Sequence, residues 1–137
     1  MSSIVVGYDG SPTAEAAVRE AAELATALDA PLHVVFAVKR GGATRVYEKE
    51  AWRLGGLDDA DEKIRELTTR LGVADRTTAS PKYGDPADAL AEEAERVDAR
   101  MIVVGSRRTQ GPSRILGSVA SDVIKKAPCS VHIAHTD

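Results

Sequence analysis

Short β-branched apolar runs alternate along this chain with longer stretches whose apolar residues recur every three or four positions, and that alternation restricts it to a layered α/β fold. The runs are "SIVVGY", "LHVVFAV", "RMIVVG" and "SVHIAH", with a weaker, polar run in "DRTTASPKY". Continuous apolar runs belong to parallel strands covered on both faces, whereas the polar run suits a sheet edge. Right-handed strand–helix–strand crossovers then give an open parallel five-stranded sheet with helices on both faces. At 137 residues it is one domain spanning 1–137, with a core made of Ala, Val, Leu and Ile because only 4% of residues are aromatic.

Helix boundaries are readable from cap chemistry. Ser11 and Pro12 open the first helix, whose stripe is Ala14, Ala17, Val18, Ala21, Leu24, Ala25 and Leu28. Leu57, Ala60, Ile64, Leu67 and Leu71 mark a second helix stopped by Gly72. Asp85 and Pro86 open a third, with Ala87, Leu90, Ala91, Ala94 and Val97 on one stripe. The fourth carries Ala120, Val123, Ile124 and Ala127 and ends at Lys125, Lys126 and Pro128. Between the second strand and second helix, "KRGGATRVYEKEAWRLGG" reads as a surface excursion at the strand's carboxyl end.

Charge and cysteine usage exclude several classes. A formal net charge of −3 argues against a general binder of nucleic acid or anionic membrane, and no apolar run is long enough to span a bilayer. Cys129 is the only cysteine, so an intrachain disulfide and a multi-cysteine metal site are excluded, and Cys129 reads as a small core or interface residue. The start "MSSIVVGYDG" lacks the basic and apolar regions of a signal peptide, and the expected location is cytoplasmic.

A ligand of such a sheet binds beyond the carboxyl ends of its strands, at the topological switch point. With strands ordered 3-2-1-4-5, the Asp9-Gly10-Ser11 turn meets the stretch "GSRRTQGPSRILGSV", Gly105 to Val119, at that point. Backbone N–H groups near Gly117 and Ser118, at the start of the fourth helix, suit an anion. Arg107, Arg108 and Arg114 offer forked donors to phosphate oxygens. Asp9 suits ribose hydroxyls or an adenine amino group, since a carboxylate only accepts. The structural alternative assigns Ser11 and Ser118 to helix N-caps, and Gly105 and Gly117 to turn geometry.

The stretches "IVVGYDGSPTAEAAVREAAELA", "YGDPADALAEEAERVDARMIVVGS" and "LGSVASDVIKKAPCSVHIAH" together resemble the universal stress protein family over essentially the full length. The resemblance implies a Rossmann-like sheet and, in nucleotide-binding members, a loop of Gly, two residues, Gly, nine residues, then Gly followed by Ser or Thr. Carried onto this sequence, it implies that Asp9 contacts the adenosine moiety with Gly7 and Tyr8 beside it, and that Ala37 offers backbone groups to adenine. Val104 and Gly105 would line base and ribose, Arg107 would sit near the phosphates, and Gly117, Ser118 and Val119 would cap them. The loop departs from the pattern twice: Arg108 stands where the second glycine falls, and Gly117-Ser118 arrives one residue early. Arg108 therefore blocks the phosphate position or binds phosphate by charge, with Gly111 at an offset that does not match.

The implied ligand is ATP, AMP or cyclic AMP, with magnesium on the phosphates as an associated ion. The implied partner is a second copy of the chain, joined as a homodimer through the last strand, Ser130 to His135; an apolar edge strand left unpaired invites the same association. A Walker loop fails because no Lys-Ser or Lys-Thr follows the glycines, and a dinucleotide fingerprint fails because no G-x-G-x-x-G follows the first strand. No histidine is expected at the switch point, and the spacing of His132 and His135 suits neither a strand face nor a metal pair. An enzyme is not expected, with weak ATP hydrolysis left open beside binding. Two functions stay open: a nucleotide-binding regulatory protein, or a dimeric stress-response interaction protein that has lost nucleotide binding through its variant loop.

Overall fold

Five parallel strands and one short antiparallel strand form a single sheet. The computed structural model describes residues 2–38, 56–108, 114–115 and 117–136. In chain order the elements are β1 (Ser3–Gly7), α1 (Pro12–Leu28), β2 (Leu32–Val38), α2 (Gly56–Arg70), β3 (Thr77–Tyr83), α3 (Pro86–Arg96), β4 (Ala99–Arg108), β5 (Arg114–Ile115), α4 (Ser118–Lys126) and β6 (Ser130–Thr136). The parallel strands lie in the order β3-β2-β1-β4-β6, the 3-2-1-4-5 arrangement expected once the last strand is counted fifth. Residues 39–55, most of the excursion after β2, lie outside the described residues, as do Gly111 and the side chains of Leu57, Arg107, Arg108 and Arg114.

Alternation along the strands divides the core in two. Ile4, Val6, Leu32, Val34, Phe36 and Val103 face α1 and α2, where Ala17, Val18, Ala21, Ile64 and Leu67 cover them. Val5, Val35, Ile102 and Val104 face α3 and α4, covered by Ala87, Leu90, Ala94, Ala120 and Val123. Strands buried on both faces explain why their sequences show continuous apolar runs instead of alternation. The small residues of α1 and α3 let the helices sit close to the sheet.

Caps behave as their chemistry demands at most ends. Ser11 Oγ accepts from the Ala14 amide at 3.1 Å, and Asp85 Oδ2 accepts from the Asp88 amide at 3.1 Å. Gly72, at φ +77°, reverses the chain after α2, with its amide and that of Val73 bonded to Thr69 and Thr68 carbonyls. Two stripe residues depart from expectation. Leu28 is exposed because α1 ends there, and Ile124 is 48% exposed because the short α4 presents that side to solvent.

Among the described residues no helix is long and apolar enough to cross a membrane.

Candidate functional site

The site begins with a difference in strand length. β1 is the shortest of the parallel strands and leaves the ladder at Gly7, level with Val35, while β2 continues to Val38 and β4 to Arg108. The two neighbours therefore overhang the end of β1 and leave a notch between them. This notch is the switch point: α1 leaves β1 toward one face of the sheet, and α3 and α4 cover the other.

The floor of the notch is fixed by local hydrogen bonds. Tyr8 N donates to Val35 O at 2.9 Å, keeping the chain against β2 for one residue past the strand. Asp9 Oδ1 then accepts from Ser11 N at 2.9 Å, and Gly10 supplies the left-handed φ of 88° that swings the chain into α1. Asp9 is exposed, and among the described residues its Oδ2 has no hydrogen-bond partner, so one carboxylate oxygen holds the turn and the other faces outward. Tyr8 is only 8% exposed and packs its ring into the α1/α2 core. Burial, reinforced by the charges of Glu15 and Asp9 against that of Arg70, pushes its phenol pKa up and keeps the hydroxyl protonated.

The remaining expected residues divide by position. A Cβ on Gly7 would lie 3.4 Å from Leu90 Cδ1, an ordinary contact, so Gly7 packs beside α3 without being required there. Ala37 lies on the part of β2 that runs past the end of β1, paired on its other side with Lys82. Val104 is buried against the α3/α4 side. Gly105 does not stand in a turn: β4 continues through it, level with Ala134 of β6. Arg107 and Arg108 also belong to β4, so the first residues of the expected loop are strand. The reason is an added ladder, in which Arg107 pairs with Ile115 and Arg108 with Arg114 of β5.

Gly117, Ser118 and Val119 form the start of α4 and are exposed. Here one expectation is corrected. Ser118 is not an N-cap but the first helical residue, and the N-cap is Gly117, with φ −65° and ψ 169° and no side chain to accept a bond. The first turn of α4 therefore has no side-chain cap, in contrast to α1 and α3. Among the described residues no side chain accepts from its first amides, and such amides, at the positive end of the helix dipole, are chemically suited to an anion.

The histidines fall mostly away from the notch. His132 Nε2 lies 2.7 Å from Glu20 Oε2, joining β6 to α1. His135 is exposed at the carboxyl end of β6, level with Ser106, which brings it within one strand of the notch and closer than expected. His33 lies near the start of β2 beside a cluster that the sequence reading missed. Glu93 of α3 is fully buried and accepts from Arg96 Nε at 3.0 Å and Nη2 at 2.7 Å, and from Ser80 Oγ at 3.2 Å, with Lys82 Nζ at 3.4 Å and His33 Nδ1 at 3.5 Å. Burial alone would raise its pKa, but the hydrogen bonds and charges of Arg96 and Lys82 outweigh that and hold it low. The available signal was Glu93 three residues before Arg96, on a helix facing the polar strand that carries Ser80 and Lys82.

Comparison with known proteins agrees with this fold. A solved universal stress protein in complex with cAMP superposes with a TM-score of 0.72 at 31% identity, over 99% of this chain and 98% of that one. The universal stress protein from Archaeoglobus fulgidus in complex with dAMP gives a TM-score of 0.70 at 29% identity, over 97% of each chain. A universal stress protein of Mycobacterium tuberculosis is 31% identical over 141 residues, covering 98% of this chain and 96% of the relative. The family model described as the universal stress protein family matches residues 1–135. Sheet order, helix placement and these matches coincide over nearly the whole length, and the chain belongs to the universal stress protein family.

Proposed function

We propose that this chain is a regulatory protein that binds an adenine nucleotide, ATP, AMP or cyclic AMP, in the notch at the carboxyl ends of β1 and β4. The observation that carries the reading is the uncapped start of α4, where Gly117 leaves the first-turn amides open while α1 and α3 are closed by Ser11 and Asp85. A phosphate would accept from the amides of Ser118 and Val119, with Arg107 adding charge, and Asp9 Oδ2 would accept from a ribose hydroxyl or the adenine amino group. Ala37 and Val104 would flank the base. The complexes of relatives with cAMP and dAMP support the ligand class. Magnesium fits only as an ion carried by the phosphates, since Asp9 has one oxygen engaged with Ser11.

The test is direct. The purified protein is denatured and its supernatant analysed for released nucleotide, and the refolded or nucleotide-free protein is titrated with ATP, AMP and cyclic AMP by calorimetry. Binding at micromolar to millimolar concentration is expected; no carried nucleotide and no heat at millimolar ligand would refute the reading. In the same assay Arg108→Gly weakens binding if Arg108 holds phosphate and strengthens it if its side chain stands in the way.

The second reading, a dimeric interaction protein without nucleotide, draws on the β4–β5 ladder, which engages the backbone of Arg107 and Arg108. Either reading includes a homodimer. β6 is an edge strand among the described residues, its Val131 and Ile133 are only partly buried, and Ile124 of α4 is exposed. Sedimentation of wild type against Val131→Lys tests it, with a monomeric variant expected.

A further inference from the structure

β5 has a definite place, fixed by the pairing of one residue. Arg107 is level with Thr136 of β6 and also with Ile115 of β5. A strand has two hydrogen-bonding edges, so β5 and β6 flank β4 on opposite sides, and β5 lies on the edge that β1 occupies lower down. There β1 pairs Val6 with Val103 and ends at Gly7. Extended upward, the same register would set the fourth residue beyond Val6 level with Arg107. Ile115 stands in that position, so β5 occupies the β4 side of the notch, where β1 would have continued.

From this geometry we infer that β5 is an intramolecular competitor of the nucleotide phosphates: the ladder holds the Arg107–Arg108 backbone and occupies the β4 side of the notch, and ligand entry requires it to separate. The inference rests on the nucleotide reading above and adds the regulation of that site. Its energetic scale follows from its size. Two residue pairs carry few hydrogen bonds, each of small net value, so the laddered arrangement is favoured by roughly five- to thirtyfold. Apparent affinity is reduced by the same factor, because only the opened fraction binds. An event that frees β5 would therefore raise nucleotide affinity with no change in the residues that touch the ligand.

Hydrogen exchange and calorimetry with ATP and AMP test this together. Of the two adjacent pairs only one exchanges both N–H···O bonds, so Ile115→Pro and Arg114→Pro are made separately and one of them removes a ladder donor. The expected result is a five- to thirtyfold tighter ATP dissociation constant in that variant. In wild type, saturating ATP should speed amide exchange at 114–115 while slowing it at Ser118 and Val119. Equal affinity in wild type and both variants, or slower exchange at 114–115 on binding, would overturn the inference and leave the nucleotide site standing. Absence of binding in wild type and both variants would instead overturn the nucleotide reading, and the inference with it.

Discussion

The cluster around Glu93 and the notch above β1 hold their polar groups in opposite ways. Glu93 is fully buried and surrounded by Arg96, Lys82, Ser80 and His33, so its carboxylate oxygens are spent on the chain itself. At the start of α4 and in the turn after β1, among the described residues, the first-turn amides have no side-chain cap and Asp9 has one oxygen without a partner. Groups that are satisfied internally fix packing, and removing one partner leaves buried charge uncompensated. Groups left open at a helix start cost little in solvent and become useful when a ligand arrives. The difference separates a region whose polar groups are satisfied within the chain from one where, among the described residues, they are left open.

Four substitutions test that contrast, and Glu93 comes first. Glu93→Ala should lower the unfolding free energy by about 2–4 kcal/mol, because it removes the common partner of Lys82 and Arg96 and opens a cavity under α3. Urea denaturation measures this, and ATP affinity of the folded fraction should stay within about twofold of wild type. A parallel loss of affinity would mean that the two regions are coupled. Gly117→Asp closes the open helix start with a carboxylate. A Cβ at 117 meets nothing within 4 Å among the described residues, and φ there is ordinary, so the backbone accepts the substitution. It should raise stability by a few tenths of a kcal/mol while weakening ATP binding about tenfold or more, a cost of about 1.4 kcal/mol; unchanged binding would place the phosphates elsewhere.

Asp85→Ala makes the converse change at a capped helix. Loss of the bond to the Asp88 amide should cost about 1 kcal/mol in thermal or urea unfolding, with no effect on nucleotide. The smallest effect belongs to His33. Burial lowers its pKa below the ordinary 6.5, Arg96 adds to that, and Glu93 opposes it. The unfolded chain then takes up this proton first, so stability falls as pH drops below about 6.5 toward the lower folded value. Glu93, held low, adds a further loss under more acid conditions, once pH falls below its ordinary 4.5 toward its folded value. In His33→Gln the slope of unfolding free energy just below pH 6.5 should flatten while the acid limb due to Glu93 remains; an unchanged slope would assign it to another group.

Much of this was legible in the chain. Asp85-Pro86 and Ser11-Pro12 announced helix starts, and the continuous run "IVVG" announced a strand buried on both faces, because those signals act within a few residues. Asp9 and its turn were legible for the same reason. Ser118 was misassigned because serine is a good cap wherever it precedes a helix, and only the backbone angles of Gly117 decide which residue holds that position. Glu93 was missed because a charged residue on a helix stripe reads as solvent-facing unless the cations on the neighbouring strand are known.

The alternating layers, the helix starts at Ser11 and Asp85 and the polar edge strand β3 were already written in the amino-acid order, since these depend on periodicity, cap chemistry and side-chain type. Tertiary structure alone decided that β1 stops short between two longer neighbours and that Arg107 and Arg108 continue a strand instead of opening a loop. Pairing between distant segments sets both features, and no local propensity records which edge of β4 a two-residue strand will take.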